Sequence, residues 1–205
     1  MKKALVAVLV TVILALVGLL GFVAMQPSEI SLTRTIEVDA APEDVAAYAT
    51  DLRKVWEWSP WRDIDPNLTS SYSDPSSGVG AWYAWSGNDD AGEGKQTVLE
   101  SEDGRVVHDL HFIRPFEDHA TATLTWEGTA EGTTVSWSFH QEAGLGTKAA
   151  NLVMDIEGML GNDYQRGLDD LKPLVEAVAQ RRRTAEKAMK AAEEARRKAA
   201  EAATP

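Results

Sequence analysis

The order of periodicities along this chain restricts its fold more than any single motif does. After an apolar N-terminal run come one strand-like segment, one short helix, six further strand-like segments and a single long amphipathic helix. Strands joined in succession by turns form an antiparallel sheet, and a sheet with one apolar face has to bury it against another layer. One long helix is available for that task. A sheet that curls around a single closing helix tends to enclose apolar space, so this order points toward holding a greasy molecule.

The strands are legible as a period of two. Ile30, Leu32, Ile36 and Val38 alternate with Ser31, Thr33, Thr35, Glu37 and Asp39, which predicts a half-buried first strand. Arg34 falls on its apolar side, where a charge snorkelling toward the strand's end is the expected role. Ala41-Pro42-Glu43-Asp44 opens a helix expected to reach about Asp51, with proline in the first turn and carboxylates at the positive end of its dipole. The run LRKVWEWSPW from Leu52 has room for one further turn before Ser59-Pro60 stops it. A short strand around residues 68–72 and five more at 81–86, 95–102, 105–113, 120–127 and 133–141 follow, with turn residues between them. Ala122, Leu124 and Trp126 oppose threonines, and Val135, Trp137 and Phe139 oppose Thr134, Ser136, Ser138 and His140. The sheet therefore has one wet face.

The closing helix is predicted from near Thr147, because Leu152, Ile156, Met159, Leu160, Tyr164, Leu168, Leu171, Val175 and Val178 recur at three- and four-residue spacing. Pro173 is expected to kink or split it. Gly158, Gly161 and Gly167 each cost up to about 1 kcal/mol against alanine in a helix interior, so they need a packing or spatial reason. Room for a ligand would be one. Beyond Val178 an Ala, Glu, Lys and Arg tract with favourable pairs such as Glu186 with Lys190 and Glu194 with Lys198 reads as a solvated helix fraying toward Pro205.

Residues 4–25 carry no charge and follow Lys2 and Lys3. As a helix this run is about 33 Å long, enough for a hydrocarbon core of about 30 Å. No clean small-residue cleavage site ends it, so an uncleaved anchor is expected rather than a cleaved signal. The flanking lysines leave the N terminus cytoplasmic. The expectation is a single-pass plasma (inner) membrane protein: an anchor over residues 1–25, a globular domain over 26–180 outside the cytoplasm, and a tail over 181–205. The chain has no cysteine, which excludes disulfides, thiolate chemistry and zinc-cysteine sites. Residues 26–180 hold 28 acidic against 10 basic side chains, a balance that repels phosphate backbones and argues against nucleic-acid binding. The tail, with 8 basic against 4 acidic residues, is the part able to touch a protein or anionic lipid.

Chemistry-bearing residues are few. His108 and His111 are three apart on a strand and so lie on opposite faces, unable to share one ion. His108 shares a face with Leu110 and Phe112 and is the one histidine to test. His119 and His140 read as loop and outer-face residues. Asp155, Glu157 and Asp163 lie on the closing helix, where a cavity-facing acid could have a raised pKa. No HExxH, nucleophile elbow or phosphate-cradling glycine loop occurs. Neither a catalytic set, a metal site nor a cofactor is expected. Of the seven tryptophans, Trp126 and Trp137 suit a core and a cavity wall equally, while Trp58 and Trp61, flanking Ser59-Pro60, are expected at a pocket rim.

The segments EVDAAPEDVAAYATDLRKVWEWSPW, VGAWYAWSGN with its following GEG, IRPF, TTVSWSF and MLGNDYQRGLDDLK occur in this order between about Leu32 and Lys172. In these the chain resembles the START-like superfamily often called SRPBCC, and within it the membrane-anchored polyketide cyclase/dehydrase and lipid-transport group. The resemblance implies an α+β helix-grip fold, a seven-stranded antiparallel sheet wrapped around a long C-terminal helix with a hydrophobic ligand between them. Trp58, Trp61, Trp85, Gly87, Trp137, Gly161 and Gly167 fall on the family's pattern. It brings no universal catalytic set and does not extend over the charged tail.

A membrane-tethered binder or carrier of a hydrophobic small molecule or lipid is therefore expected, with Trp58, Trp61, Trp85, His108, Leu110, Phe112, Trp126, Trp137, Ile156 and Leu160 around the ligand. One alternative is a cyclase/dehydrase-like or hydrolytic enzyme drawing on His108 or a helix carboxylate. Another is an envelope interaction module whose domain is an inert, filled body.

Overall fold

The computed structural model describes residues 2–27, 29–152 and 154–202. Helix α1 (Lys2–Ala24) is uncharged after Lys3, and its stretch Val6–Ala24 is long and apolar enough to cross a membrane. The chain then enters β1 (Glu29–Val38), α2 (Pro42–Ala49) and α3 (Leu52–Trp58). Asp51, expected at the end of the first of these helices, instead caps the second, its carboxylate accepting from the Arg53 amide at 2.9 Å. Six strands follow: β2 (Thr69–Tyr72), β3 (Trp82–Ser86), β4 (Glu93–Glu102), β5 (Arg105–Arg114), β6 (Asp118–Gly128) and β7 (Thr133–Glu142).

All seven strands form one antiparallel sheet in the order β1-β7-β6-β5-β4-β3-β2. The alternation of β6 and β7 fixes which face is buried: Ala120, Ala122, Leu124, Trp126, Val135, Trp137 and Phe139 point inward and are buried. The register pairs Leu124 with Trp137 and Val106 with Leu124, so β5 presents Val106, His108, Leu110 and Phe112 to the same side.

The closing element is two helices rather than one. The first, α4 (Leu145–Asn151), is followed by α5 (Ile156–Ala202). Polar side chains mark the break: Asn151 accepts from the Ile156 amide at 3.3 Å, and Asp155 accepts from the Gly158 amide at 2.9 Å. Pro173 does not split α5 into separate elements; it sits within the one helix on an exposed side.

The glycines of α5 make room for protein, not for a ligand. A Cβ at Gly167 would lie 2.8 Å from the Trp137 ring and 3.1 Å from Cδ of Pro60, and one at Gly161 would collide with the Arg34 guanidinium. Arg34 is thus half-buried under α5, donating to its neighbour Thr33's carbonyl at 3.0 Å. Farther along, Lys172 donates to the Glu37 carbonyl at 2.8 Å, Arg182 reaches the buried Asp44 at 2.8 Å, and Arg183 reaches Asp39 at 2.6 Å. These two arginines, placed in the tail by sequence, hold α5 against the α2 end of the domain. Charge pairing pushes both guanidinium pKa values upward, chiefly through the hydrogen bonds to Asp44 and Asp39.

Two stability outcomes are expected from urea unfolding of the full chain in mild detergent. Trp137→Ala lowers the unfolding free energy by about 3–5 kcal/mol, the cost of emptying a close-packed aromatic site. Gly167→Ala lowers it by about 1–3 kcal/mol despite alanine's helix propensity, because the Pro60 ring and packed Trp137 cannot yield, whereas Gly161→Ala is tolerated by movement of the flexible Arg34 tip.

Candidate functional site

The inward face of the sheet is divided in two. Over β1, β7 and β6 it is filled. Tyr164 of α5 stacks on Trp137 with ring centroids 3.8 Å apart, and Trp58 meets Trp137 edge-on at 5.0 Å. Trp58 is only 1% exposed, with its indole donating to the Tyr48 carbonyl at 3.2 Å, so it is a core residue and not the rim residue expected from sequence. The short α3 helix turns it inward. Trp126 and Trp137 likewise belong to this solid part of the core.

Over β5, β4 and β3 the inward face behaves differently. Along β5 burial decays with direction: Val106 and His108 are buried, Leu110 and Phe112 half-buried, and Arg114 exposed. Trp85 and Gln96 on the neighbouring strands are also half-buried, although register points them inward beside Phe112 and Leu110. Inward-facing side chains here pass from buried at His108 to half-accessible toward the C-terminal end of β5. An aromatic ladder lies alongside: Tyr72 with Tyr83 at 4.9 Å, Tyr83 with Trp85 at 5.8 Å, and Trp85 with Phe112 at 6.2 Å. Trp56 joins it at 5.2 Å from Tyr83. From the helical side Trp61, Ile156 and Leu160 pack on the core and remain half-buried.

The glycine-rich segment after β3 shapes this region. Gly94 pairs with Trp85, and a Cβ there would lie 2.5 Å from the indole, so glycine lets the ring lie flat across β4. The Trp85 indole donates to the Ala91 carbonyl at 3.1 Å. Asp65, a buried carboxylate, accepts from the amides of Asn67 at 2.9 Å and Asn88 at 2.7 Å and so ties the loop after α3 to the β3–β4 turn.

Four buried polar atoms find no hydrogen-bonding group of the protein among the described residues: Tyr83 Oη, His108 Nε2, Trp126 Nε1 and Tyr164 Oη. Burial pushes the His108 pKa down to about 4 and the Tyr83 and Tyr164 phenols up. At neutral pH His108 is therefore an uncharged imidazole whose Nε2 is able to donate or accept one hydrogen bond. The helix carboxylates are not brought here. Asp155 caps α5, Glu157 is exposed, and Asp163 pairs with Arg166 at 2.9 Å.

His111 points to the opposite face from His108, as the spacing requires. Its ring stacks at 4.2 Å on His119, which lies in β6 rather than in a loop. His140 is on that outer face also, 3.4 Å from Glu29. Sequence reasoning did not single out Tyr72, Tyr83, Gln96 or Trp56 for this face. The alternation Tyr83, Trp85 in WYAWS carried a signal for the first two strands, but β2 is too short for its period to show.

The family described as "Polyketide cyclase / dehydrase and lipid transport" matches over residues 29–176. No curated protein matches the chain. Among solved structures, protein CV1439 from Chromobacterium violaceum superposes with a TM-score of 0.51 at 17% identity, covering 73% of this chain and 99% of its own. The Aha1 dimer from Colwellia psychrerythraea gives 0.51 at 16%, covering 72% and 96%. The di-domain ARO/CYC StfQ from the steffimycin biosynthetic pathway gives 0.55 at 13%, covering 74% of this chain and 52% of StfQ. These likenesses establish a shared fold.

Protonation of His108 gives the site a testable signature. Below pH 6.5 the unfolded chain takes up a proton that the folded chain refuses until about pH 4, so folding stability falls as the pH drops through this window. Relative to wild type, His108→Leu is expected to reduce the loss of unfolding free energy between pH 7 and pH 4.5 by about 2–3 kcal/mol, measured by urea unfolding at both pH values.

Proposed function

The chain belongs to the polyketide cyclase / dehydrase and lipid transport family, and from that premise we propose that it is a membrane-tethered binding protein for a hydrophobic small molecule or lipid. The ligand lies in a cleft over β3, β4 and β5, against Trp61, Trp85, Leu110, Phe112, Ile156 and Leu160. A polar group of the ligand meets His108 Nε2 at the base. One observation carries this reading: inward-facing Trp85, Leu110 and Phe112 stay half-accessible at one end of β3 and β5, while the inward side chains of β6 and β7 are buried. Leaving such a surface uncovered costs about 25 cal/mol for each Å² of apolar area, which an apolar ligand recovers on binding. The unpaired imidazole nitrogen adds an orienting contact, since a buried polar atom without a partner costs about 1–3 kcal/mol.

Tethering follows from α1, whose Val6–Ala24 stretch has a mean hydropathy of 3.0 and lies almost wholly outside the protein core. Its positive flank supports a globular domain on the non-cytoplasmic side. A tether holds the cleft at high effective concentration beside membrane-dissolved ligands. The reading as an enzyme has a narrower footing: His108, Tyr83 and Tyr164 are the only inward titratable groups named by unmet hydrogen bonding among the described residues.

Native mass spectrometry of the detergent-purified full chain, followed by organic extraction, tests the proposal. A bound apolar species is expected with the wild type, and Leu110→Arg, which puts a charge into the cleft, is expected to reduce its occupancy roughly tenfold or more. A domain that stays empty and also excludes apolar fluorophores would overturn it.

A further inference from the structure

The end of the sheet where α1 enters is also the end toward which the proposed cleft opens. Glu29 pairs with Glu142, and the register carries this end across the sheet through Asp118, Arg114, Glu93 and Ser86. Phe112 and Trp85, the half-buried mouth of the cleft, lie here. The buried base at Val106 and His108 lies deeper. Accessibility along β5 therefore increases toward the anchor.

The same end carries most of the domain's exposed large apolar side chains. Phe116 in the β5–β6 turn, Leu145 on α4, Leu152 and Met154 in the α4–α5 connection and Met159 on α5 are 57%, 60%, 40%, 48% and 55% exposed. They are held in place by specific contacts. Asp118 accepts from the Gly144 amide at 3.4 Å and from the Thr147 hydroxyl at 2.7 Å, and Phe116 packs against Gly146. Lys148 of α4 donates to the Ala24 carbonyl at the end of α1 at 3.4 Å. From Ala24 to Glu29 the chain can reach at most about 18 Å, so this rim cannot move far from the end of the apolar helix. An exposed apolar rim fixed beside a membrane span has one abundant apolar phase within reach.

We propose that this rim, Phe116, Leu145, Leu152, Met154 and Met159, rests in the headgroup and upper acyl region of the bilayer that α1 spans. The mouth of the cleft then faces the leaflet, and the ligand is a membrane-dissolved amphiphile that enters without crossing water. The inference depends on the tether proposed above but not on the identity of the cargo. Attachment is by apolar insertion rather than by charge, because Glu29, Asp118, Glu142, Asp155 and Glu157 make this end acidic. Neutral lipid is accordingly sufficient.

The absence of cysteine allows single labels to be placed cleanly in the full chain. Phe116→Cys, Leu145→Cys and Met159→Cys carry a fluorophore on the rim; Val79→Cys, 70% exposed in the loop before β3 at the opposite end of the sheet, is the aqueous control. Val12→Cys reports α1. In phosphatidylcholine vesicles containing nitroxide-labelled lipid, quenching at the three rim positions is expected to exceed that at Val79 by about twofold or more. Quenching at Val12 with rim labels no different from Val79 overturns the rim proposal and leaves the tether standing. Loss of quenching at Val12 overturns both, while an empty cleft in mass spectrometry with a quenched rim overturns only the cargo.

Discussion

A helix is about 10–12 Å across with its side chains, while neighbouring strands are spaced about 4.8 Å apart, so one helix covers two or three strands of a sheet. This sheet has seven. The mismatch governs everything else in the domain. Helix α5 takes β1 and β7, where its Tyr164 lies on Trp137 and Leu168, Leu171 and Val175 are fully buried, and α2 packs over β6. The remaining strands must be covered by α3, by their own aromatic side chains, or by something that is not part of the chain. Tyr72, Tyr83, Trp85 and Phe112 pack on one another over these strands, and Tyr72, Trp85 and Phe112 remain half-buried.

The position of α5 is what decides which half is filled, and it is fixed at several points along its length. Near its start Gly161 admits the Arg34 guanidinium; in its middle Gly167 lets the helix close onto Trp137 and Pro60; near Arg182 the buried Asp44 receives a paired guanidinium. Asp44 also accepts from the Ala41 amide at 3.2 Å, closing the first turn of α2. One carboxylate thus serves as a helix cap and as the latch between α2 and α5. Its burial is tolerable because both of its roles leave it hydrogen-bonded.

Much of this architecture was legible in the sequence, for reasons that differ between elements. Strands β6 and β7 could be read residue by residue because one face is dry and the other wet, so the period of two is unbroken. The short α3 was readable from its proline stop. What periodicity could not convey was lateral position. Trp58, Trp126 and Trp137 share their residue type with Trp85, and only the placement of α5 separates core from cleft wall. The glycines of α5 advertised a spatial demand without saying whether protein or ligand met it; Arg34 and Trp137 meet it at two of the three positions. The α4–α5 break was hidden because apolar residues on either side keep helical spacing, while the polar caps Asn151 and Asp155 look like ordinary solvated positions.

Direction also bears on the charged tail. Helix α5 begins at the end of the sheet where α1 enters and runs along β1 toward Val38, so that Arg183, at Asp39, already stands at the opposite end. The 19 residues from Thr184 to Ala202 continue this helix for about 28 Å. They leave the domain on the side away from the anchor. They hold five basic against four acidic side chains, because Arg181, Arg182 and Arg183 precede them, so the stretch is nearly neutral. Any surface these residues meet lies beyond the far end of the sheet, away from α1.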